Sequence, residues 1–170
     1  MSVEILAPVP IAVGHDLSSF DCGEVSLNDW LKKRALKNEG ADSSRTYVIA
    51  EGKKVVGYYC LAAGAIGHAA APKGMRRNRP DPIPILVLGR LAIHKDYHNR
   101  GFGSGLLRDA VFRALQASRI AGVTALLVHA LSEGARQFYL SRGFIESPIQ
   151  PMTLCLMLSA AQKTVVLKKL

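Results

Sequence analysis

Cysteine is scarce, and its spacing forms no pattern: Cys22, Cys60 and Cys155 lie far apart, with no C-x-x-C between them. An odd count at wide spacing excludes a disulfide framework, and without C-x-x-C or H-E-x-x-H no metal motif is present. All three cysteines have apolar neighbours and read as small core residues, which suits a reducing cytoplasm. Acidic residues are also few, 13 against 22 Lys and Arg, for a net charge of +9. That balance points to an acidic partner, nucleic acid first and an anionic membrane second, against a merely soluble basic surface. No membrane span is expected: Val55 to Ala71 holds 17 uncharged residues, but Gly57, Gly64, Gly67 and His68 interrupt it, and a span needs about 20 apolar residues. Met1-Ser2-Val3-Glu4 lacks the basic start of a signal peptide. With no internal repeat and no linker, residues 1–170 are expected to form one domain with one sizeable core.

What is present alternates between strand and helix patterns. Residues 3–13 alternate loosely around Pro8 and Pro10, as an edge strand does. Ser26 is a candidate N-cap with Asp29 three residues on, opening a helix that runs to Gly40. Its apolar stripe is Trp30, Leu31 and Ala35, and Lys32, Lys33, Arg34 and Lys37 line its other faces. Residues 45–51 and 55–65 read as a hairpin turning at Gly52-Lys53. From Gly67 to Pro84 periodicity is lost, and Lys73, Arg76, Arg77 and Arg79 crowd the loop. Residues 86–93 form a buried strand, 106–120 an amphipathic helix and 124–130 a second buried strand. A short helix over 132–141, capped by Ser132 and ended by Gly143, precedes strands over 144–146 and 152–158. The tail 159–170 fits helix and strand alike. This is an α+β pattern with a mixed sheet.

Between the strand ending at Ile93 and the following helix lies His98-Asn99-Arg100-Gly101-Phe102-Gly103-Ser104-Gly105. A glycine-rich turn opening a helix aims backbone N–H groups at an anion, helped by the positive end of the helix dipole. Gly101 and Gly103 would let a phosphate approach with no Cβ in the way. Spacing alone leaves a plain tight turn open as the alternative.

Downstream, Ala135-Arg136-Gln137-Phe138-Tyr139-Leu140-Ser141-Arg142-Gly143-Phe144 narrows the choice. Taken with the glycine turn, it resembles the GNAT acyl-CoA N-acyltransferases, whose pyrophosphate motif is Gln/Arg-x-x-Gly-x-Gly/Ala. Here His98 stands where the family has Gln or Arg, and an imidazole can still donate to phosphate. Further motifs resemble one subgroup, the TacT-like GNAT toxins of bacterial toxin–antitoxin modules. They are Phe20-x-Cys22-Gly23, Leu27-x-x-Trp30-Leu31, Ser44-Arg45-Thr46-Tyr47, Val56-Gly57-Tyr58-Tyr59, Pro82-Ile83-Pro84, Leu88-Gly89-Arg90-Leu91-Ala92, His129-Ala130 and Ser147-Pro148-x-x-Pro151-Met152-Thr153-Leu154. The likeness runs from about residue 15 to 158.

The resemblance implies the α+β GNAT fold, a mixed, mostly antiparallel twisted sheet flanked by helices. It implies acetyl-CoA as co-substrate, acetylation of the α-amine of aminoacyl-tRNA, a block on translation, a homodimer and a ribbon-helix-helix antitoxin that binds operator DNA. The acyl donor would lie along Leu91, Ala92 and Ile93, with its phosphates on His98 to Gly105, and with Ala135 and Phe138 alongside. Tyr139 would protonate the leaving sulfur; the alternative is that it only packs against the CoA arm. Lys33, Arg34, Lys37, Arg76, Arg77, Arg79 and Arg90 are candidate tRNA contacts. The helix charges could instead be a solvated face, and Arg45 and Arg90 structural ion-pair partners. His129 reads as a satisfied core histidine, and no metal is expected. No carboxylate occurs from Ile83 to Ile93, which suits an α-amine that titrates near ~7.7–8.0 and needs no base. Acetylation of a small amine or protein N-terminus, and RNA binding without turnover, are the alternatives.

Overall fold

The computed structural model describes residues 4–162. The chain forms two compact units: residues up to Ala62 with Gly89–Ala110, and Ala63–Leu88 with the chain from Val111 onward. Seven strands follow the order β1-β2-β3-β4-β5-β7-β6.

In the first unit, β1 (Val9–Pro10) pairs antiparallel with β2 (Arg45–Glu51), and β2 with β3 (Lys54–Ile66). The hairpin turns where expected, at Gly52, whose φ of 62° suits a residue without a Cβ. The proline-containing edge strand is only two residues long, because a proline donates nothing to a ladder. Gly57 is a packing requirement: a Cβ there would lie 2.8 Å from Ile93 Cδ1 and 2.9 Å from Ile49.

Helix α1 (Val25–Lys33) buries Leu27 and Leu31, four residues apart on one face, against Phe20, Val48, Tyr58 and Ala92. Two details differ from the sequence reading. The N-cap is Glu24, with no side-chain cap; Ser26 lies inside the helix, and Asp29 pairs with Lys33 at 3.7 Å. The Asn28 amide oxygen accepts the Cys22 N–H at 2.8 Å and ties the entry loop to the helix, whose first turn closes on the Glu24 carbonyl. The helix also breaks at Arg34 (φ −121°), and α2 (Ala35–Gly40) follows as a separate element. Arg45 joins the end of α2 to β2 through ion pairs of 2.7 Å with both Glu39 and Asp42, the structural role open to it in the sequence.

In the second unit, the first half of β4 (Ile83–Ile93) pairs parallel with β5 (Ala125–His129), from Leu86 opposite Leu126 to Leu88 opposite Val128. β5 pairs antiparallel with β7 (Thr153–Met157), and β7 with β6 (Ile145–Glu146). Ile83, Ile85, Ala125, Leu127 and Cys155 share one core cluster with Ala71 and Met75 from the long loop. β4 begins three residues before the expected start and includes Pro84. A proline lacks the donor but keeps the acceptor, and the Pro84 carbonyl takes the Thr124 N–H at 2.9 Å. Of the cysteines, Cys60 and Cys155 are buried, while Cys22 is half-buried at the margin of its cluster. Residues 158–162 are helical, and the rest of the tail lies outside the described residues.

Tyr58 is fully buried, and its hydroxyl donates to the Leu27 carbonyl at 2.7 Å. Tyr58→Phe removes that bond from a carbonyl that still serves its helix. The unfolding midpoint in urea is expected to fall by the equivalent of about 1 kcal/mol.

Candidate active site

The site is built from the end of β4. Leu91, Ala92 and Ile93 lead into His94, whose imidazole is 5% exposed and fixed at both nitrogens. Nδ1 accepts the Asp96 N–H at 3.1 Å, so Nε2 carries the proton and donates to the Ser19 carbonyl at 3.2 Å. A 3-10 turn over Lys95–Tyr97 follows. It is fastened to the loop before α1 by the Lys95 N–H on the Asp21 carbonyl at 2.8 Å and by a Lys95–Asp21 ion pair at 3.3 Å. The Gly23 N–H, then Asn28 and Lys95, hold the Asp21 carboxyl down to about 2, so these ties persist at any physiological pH.

The chain then reverses through Asn99 (φ 61°) and Gly101 (φ 83°), both in the left-handed region. Helix α3 (Phe102–Ser118) starts four residues before the expected Leu106. Gly103, Ser104 and Gly105 therefore form its first turn instead of the loop before it. Glycine carries the lowest helix propensity short of proline, which hides this turn in the sequence; burial of Leu106, Leu107 and Ala110 outweighs it. The correction improves the site. The first N–H groups of a helix have no intrahelical acceptor, and here they belong to Phe102 and its neighbours. The Gly105 N–H is different: it donates to the Gly101 carbonyl at 3.1 Å and is spent within the helix. A Cβ added at Gly101, Gly103 or Gly105 would meet nothing within 4 Å. These glycines leave open space over the helix end.

A cleft of about 270 Å³ opens there, lined by Leu91, Ala92, Ile93, Tyr97, His98, Asn99, Gly101, Phe102 and Gly103. All but Tyr97 are sequence candidates. Tyr97 is missed because nothing in Lys95-Asp96-Tyr97 marks it; its hydroxyl bonds Glu51, and Arg100 lies over it at 5.2 Å and over Phe102 at the same distance. His98 points elsewhere than expected. Its Nε2 bonds the Ile93 carbonyl at 2.7 Å, so the imidazole closes the turn and that nitrogen does not face a phosphate.

The other candidates lie in the second unit on α4 (Glu133–Ser141), capped as expected by Ser132, whose Oγ accepts the Ala135 N–H at 3.1 Å. Tyr139 is 8% exposed, with Phe138 and Phe144 at ring distances of 5.2 and 5.3 Å. Burial alone pushes its phenol up to about 12. A proton held this firmly contributes stability below the unfolded value near ~10, lost only as pH rises through about 12. Gly143 (φ 93°) turns the chain so that the Phe144 N–H reaches the Tyr139 carbonyl at 3.2 Å. Arg136 binds Glu133, Glu146 and the Pro151 carbonyl, a clamp that the sequence did not mark.

The basic candidates divide. Lys33, Arg34, Lys37 and Arg77 are exposed. Arg76 and Arg79 are half-buried, and each gives one donor to its own loop, to the carbonyls of Ala71 and Met75 at 3.2 Å. Arg90 makes no ion pair among the described residues and stacks on Trp30 at 4.5 Å. His129 is exposed and not in the core, though satisfied: Nδ1 lies 3.0 Å from the Thr153 hydroxyl. It is the last residue of β5, beyond the buried run of that strand. Among the described residues no group of three or more His, Cys, Asp and Glu could hold a metal, and no helix is long and apolar enough to cross a membrane.

A strand that feeds an open, glycine-lined helix end offers an anion-binding site next to strand-edge peptide groups. The acetyltransferase (GNAT) domain family matches residues 42–146, which contain this whole passage, and the chain belongs to that family. Among individual relatives, it is 46% identical over 156 residues to a tRNA-acetylating toxin of Mycobacterium tuberculosis, covering 92% of this chain and 94% of that one. A probable toxin TacT of Sinorhizobium fredii is 29% identical over 84% of each. A solved tyrosine-to-phenylalanine mutant of KacT superposes with a TM-score of 0.89 at 28% identity, covering 95% and 99% of the two chains. AtaT in complex with acetyl-methionyl-tRNA gives 0.87 at 28% identity, with the same coverage.

The two glycines of the turn differ in a measurable way. Gly101→Ala forces a Cβ into the left-handed region and is expected to cost about 1–2 kcal/mol. Gly103→Ala, with ordinary dihedrals at a helix start, is expected to leave stability unchanged or raise it by up to about 1 kcal/mol. Urea unfolding of the two variants checks the contrast.

Proposed function

We propose that the protein is a toxin that transfers acetyl from acetyl-CoA to the α-amino group of aminoacyl-tRNA and so blocks translation. The cleft at the start of α3 carries this reading. Its glycines leave room for a pyrophosphate on the N–H groups of Phe102 and Gly103, and Leu91 to Ile93 offer backbone groups to an extended pantetheine arm. Acetyl-CoA fits these residues and supplies the activated acetyl thioester. The relatives support the acceptor: one is a tRNA-acetylating toxin, and AtaT has been solved with acetyl-methionyl-tRNA. Others support the partners, with AtaT bound to the C-terminus of the antitoxin AtaR and a KacTA–DNA complex. A homodimer, a ribbon-helix-helix antitoxin and a cytoplasmic location belong to the same reading.

The chemistry forms a C–N bond and breaks the C–S bond, and the proton of the attacking amine ends on the thiol. With a pKa near ~7.7–8.0, an appreciable share of α-amine is neutral at cell pH, so no base has to remove a proton first. The cleft lining accordingly includes no carboxylate. The family motif assigns Tyr139 to the leaving sulfur. A complete proton transfer from a phenol near 12 to a thiolate near ~8.5 runs uphill by about 5 kcal/mol. The Tyr139 hydroxyl therefore hydrogen-bonds to the emerging thiolate and passes its proton as the amine's proton replaces it. The backbone edge at Leu91 and Ile93 orients the thioester carbonyl.

Tyr139→Phe is expected to lower kcat by about 10²–10⁴-fold, with acetyl-CoA affinity within twofold of wild type. Gly103→Ala should show the reverse, weaker acetyl-CoA binding in a titration with turnover at saturation retained. The decisive assay incubates the protein with labelled acetyl-CoA and total charged tRNA, then identifies acetylated aminoacyl-adenosines by mass spectrometry after RNase digestion. Acetylation of a small amine in place of any of them would overturn the reading. The pH profile provides a second check. Since Tyr139 stays protonated until about 12, kcat/KM should rise with the amine's deprotonation near pH ~8 and show no descending limb up to pH 9.5.

A further inference from the structure

Tyr97 lines the cleft, and its hydroxyl is bound to a distant part of the chain. It donates to the carboxylate of Glu51, 46 residues earlier. Glu51 is itself fixed: it is the last residue of β2, paired with Lys54 across the hairpin turn and bridged to Ile5. The Tyr97 ring is fixed as well. It is buried, and the His94 imidazole, tied at both nitrogens, meets it edge-on at 5.8 Å with 88° between the planes. The Glu51 carboxylate, and after it burial, raise the phenol above its ordinary value, so the ring stays a neutral donor.

A cation rests on this ring. The Arg100 guanidinium lies 5.2 Å from the centre of Tyr97 and 5.2 Å from that of Phe102, and the two rings are 6.3 Å apart. Both rings line the cleft, and Arg100 stands in the chain between two further lining residues, Asn99 and Gly101. Its side chain makes no ion pair among the described residues. A carboxylate directly beside Arg100 would neutralise its charge. Glu51 acts through the phenol instead. A ring whose hydroxyl donates to a carboxylate is polarised toward a more negative face, and that face attracts a cation more strongly. The guanidinium keeps its charge, and stacking leaves its in-plane donors unused. Orientation matters to those donors, because a guanidinium binds a phosphate best as a two-pronged fork. Arg100 is exposed, and a free arginine side chain would lose rotamer entropy on adopting that geometry.

We propose that Glu51 and Tyr97 are a positioning pair: Glu51 fixes the Tyr97 ring, and the ring holds the Arg100 guanidinium toward the phosphates of the acyl donor. This rests on the cleft being the acetyl-CoA site. It extends the set of residues that govern donor binding to the β2–β3 hairpin, which no motif of the sequence marks. Both members of the pair act on acetyl-CoA affinity and leave the chemical step alone.

The test titrates each variant with acetyl-CoA and with S-acetylpantetheine, which has the thioester arm but no phosphate. Tyr97→Phe and Glu51→Ala should each weaken acetyl-CoA by about fivefold, the worth of one hydrogen bond. Tyr97→Leu, which also removes the stacked ring, should weaken it by about tenfold or more. S-acetylpantetheine affinity should stay within twofold of wild type throughout. Glu51→Gln should lose less than Glu51→Ala, because an amide oxygen still accepts from the phenol. In an Arg100→Gln background, Tyr97→Leu should add no further loss, since the two act as one unit. Unchanged acetyl-CoA affinity in Tyr97→Leu or in Arg100→Gln would overturn the proposal. Equal losses for both donors would also overturn it, since they mark a merely structural role, and so would additive losses in the double variant. Selective loss of acetyl-CoA in the pair variants, with wild-type binding in Gly103→Ala, would uphold the pair and reject the seat of the pyrophosphate on the start of α3.

Discussion

The hydrogen bond from His98 to the Ile93 carbonyl closes the turn on which the site depends. Between the last residue of β4 and the first of α3 the chain must reverse and leave a helix N-terminus facing open space. Asn99 and Gly101 supply the left-handed dihedrals. His94 and Lys95 tie the turn back to the loop before α1, and His98 binds it to the strand it has just left. A helix dipole and unpaired N–H groups act on an anion only within the first turn, so a small shift of this reversal would cost the site its field. His98, which departs from the residue type usual at its position in the family motif, serves here as the closure of the turn.

The same economy governs the charges. A surplus of nine positive charges says little about where an anion binds. Arg45 is consumed by Glu39 and Asp42, and Arg136 by Glu133 and Glu146. Arg76 and Arg79 support their own loop in part. Arg90 alone of these lies over an aromatic ring, that of Trp30, with no ion pair among the described residues. Tyr139 illustrates the complementary case, a neutral group kept neutral by burial. Burial alone raises its phenol to about 12, so it keeps its proton throughout the physiological range.

Much was legible in the sequence. The β2–β3 hairpin, the Ser132 cap, the Gly143 stop and the glycine turn are local features, each set by the chemistry of a few adjacent residues. Eight of the nine cleft-lining residues lie in stretches that the motifs marked. The misses share one cause. Ser26 did not cap, because the helix begins at Val25 and places Ser26 inside it. α3 began at Phe102 despite its glycines, because buried Leu106 and Leu107 outweigh propensity. Tyr97 entered the cleft, and His129 left the core, through packing that no short window contains.

The sequence by itself determined the family and the order of the elements, because glycine, proline, caps and apolar periodicity act over a few residues. Only the tertiary structure decided what each polar group does with its donors and charge. His98 turned inward to a carbonyl, Gly105 spent its N–H on the helix, and Arg90 came to rest on Trp30 with no ion pair among the described residues. Those outcomes depend on partners far away in the chain, and a hydrogen bond or an ion pair is decided by which partner arrives within about 3 Å.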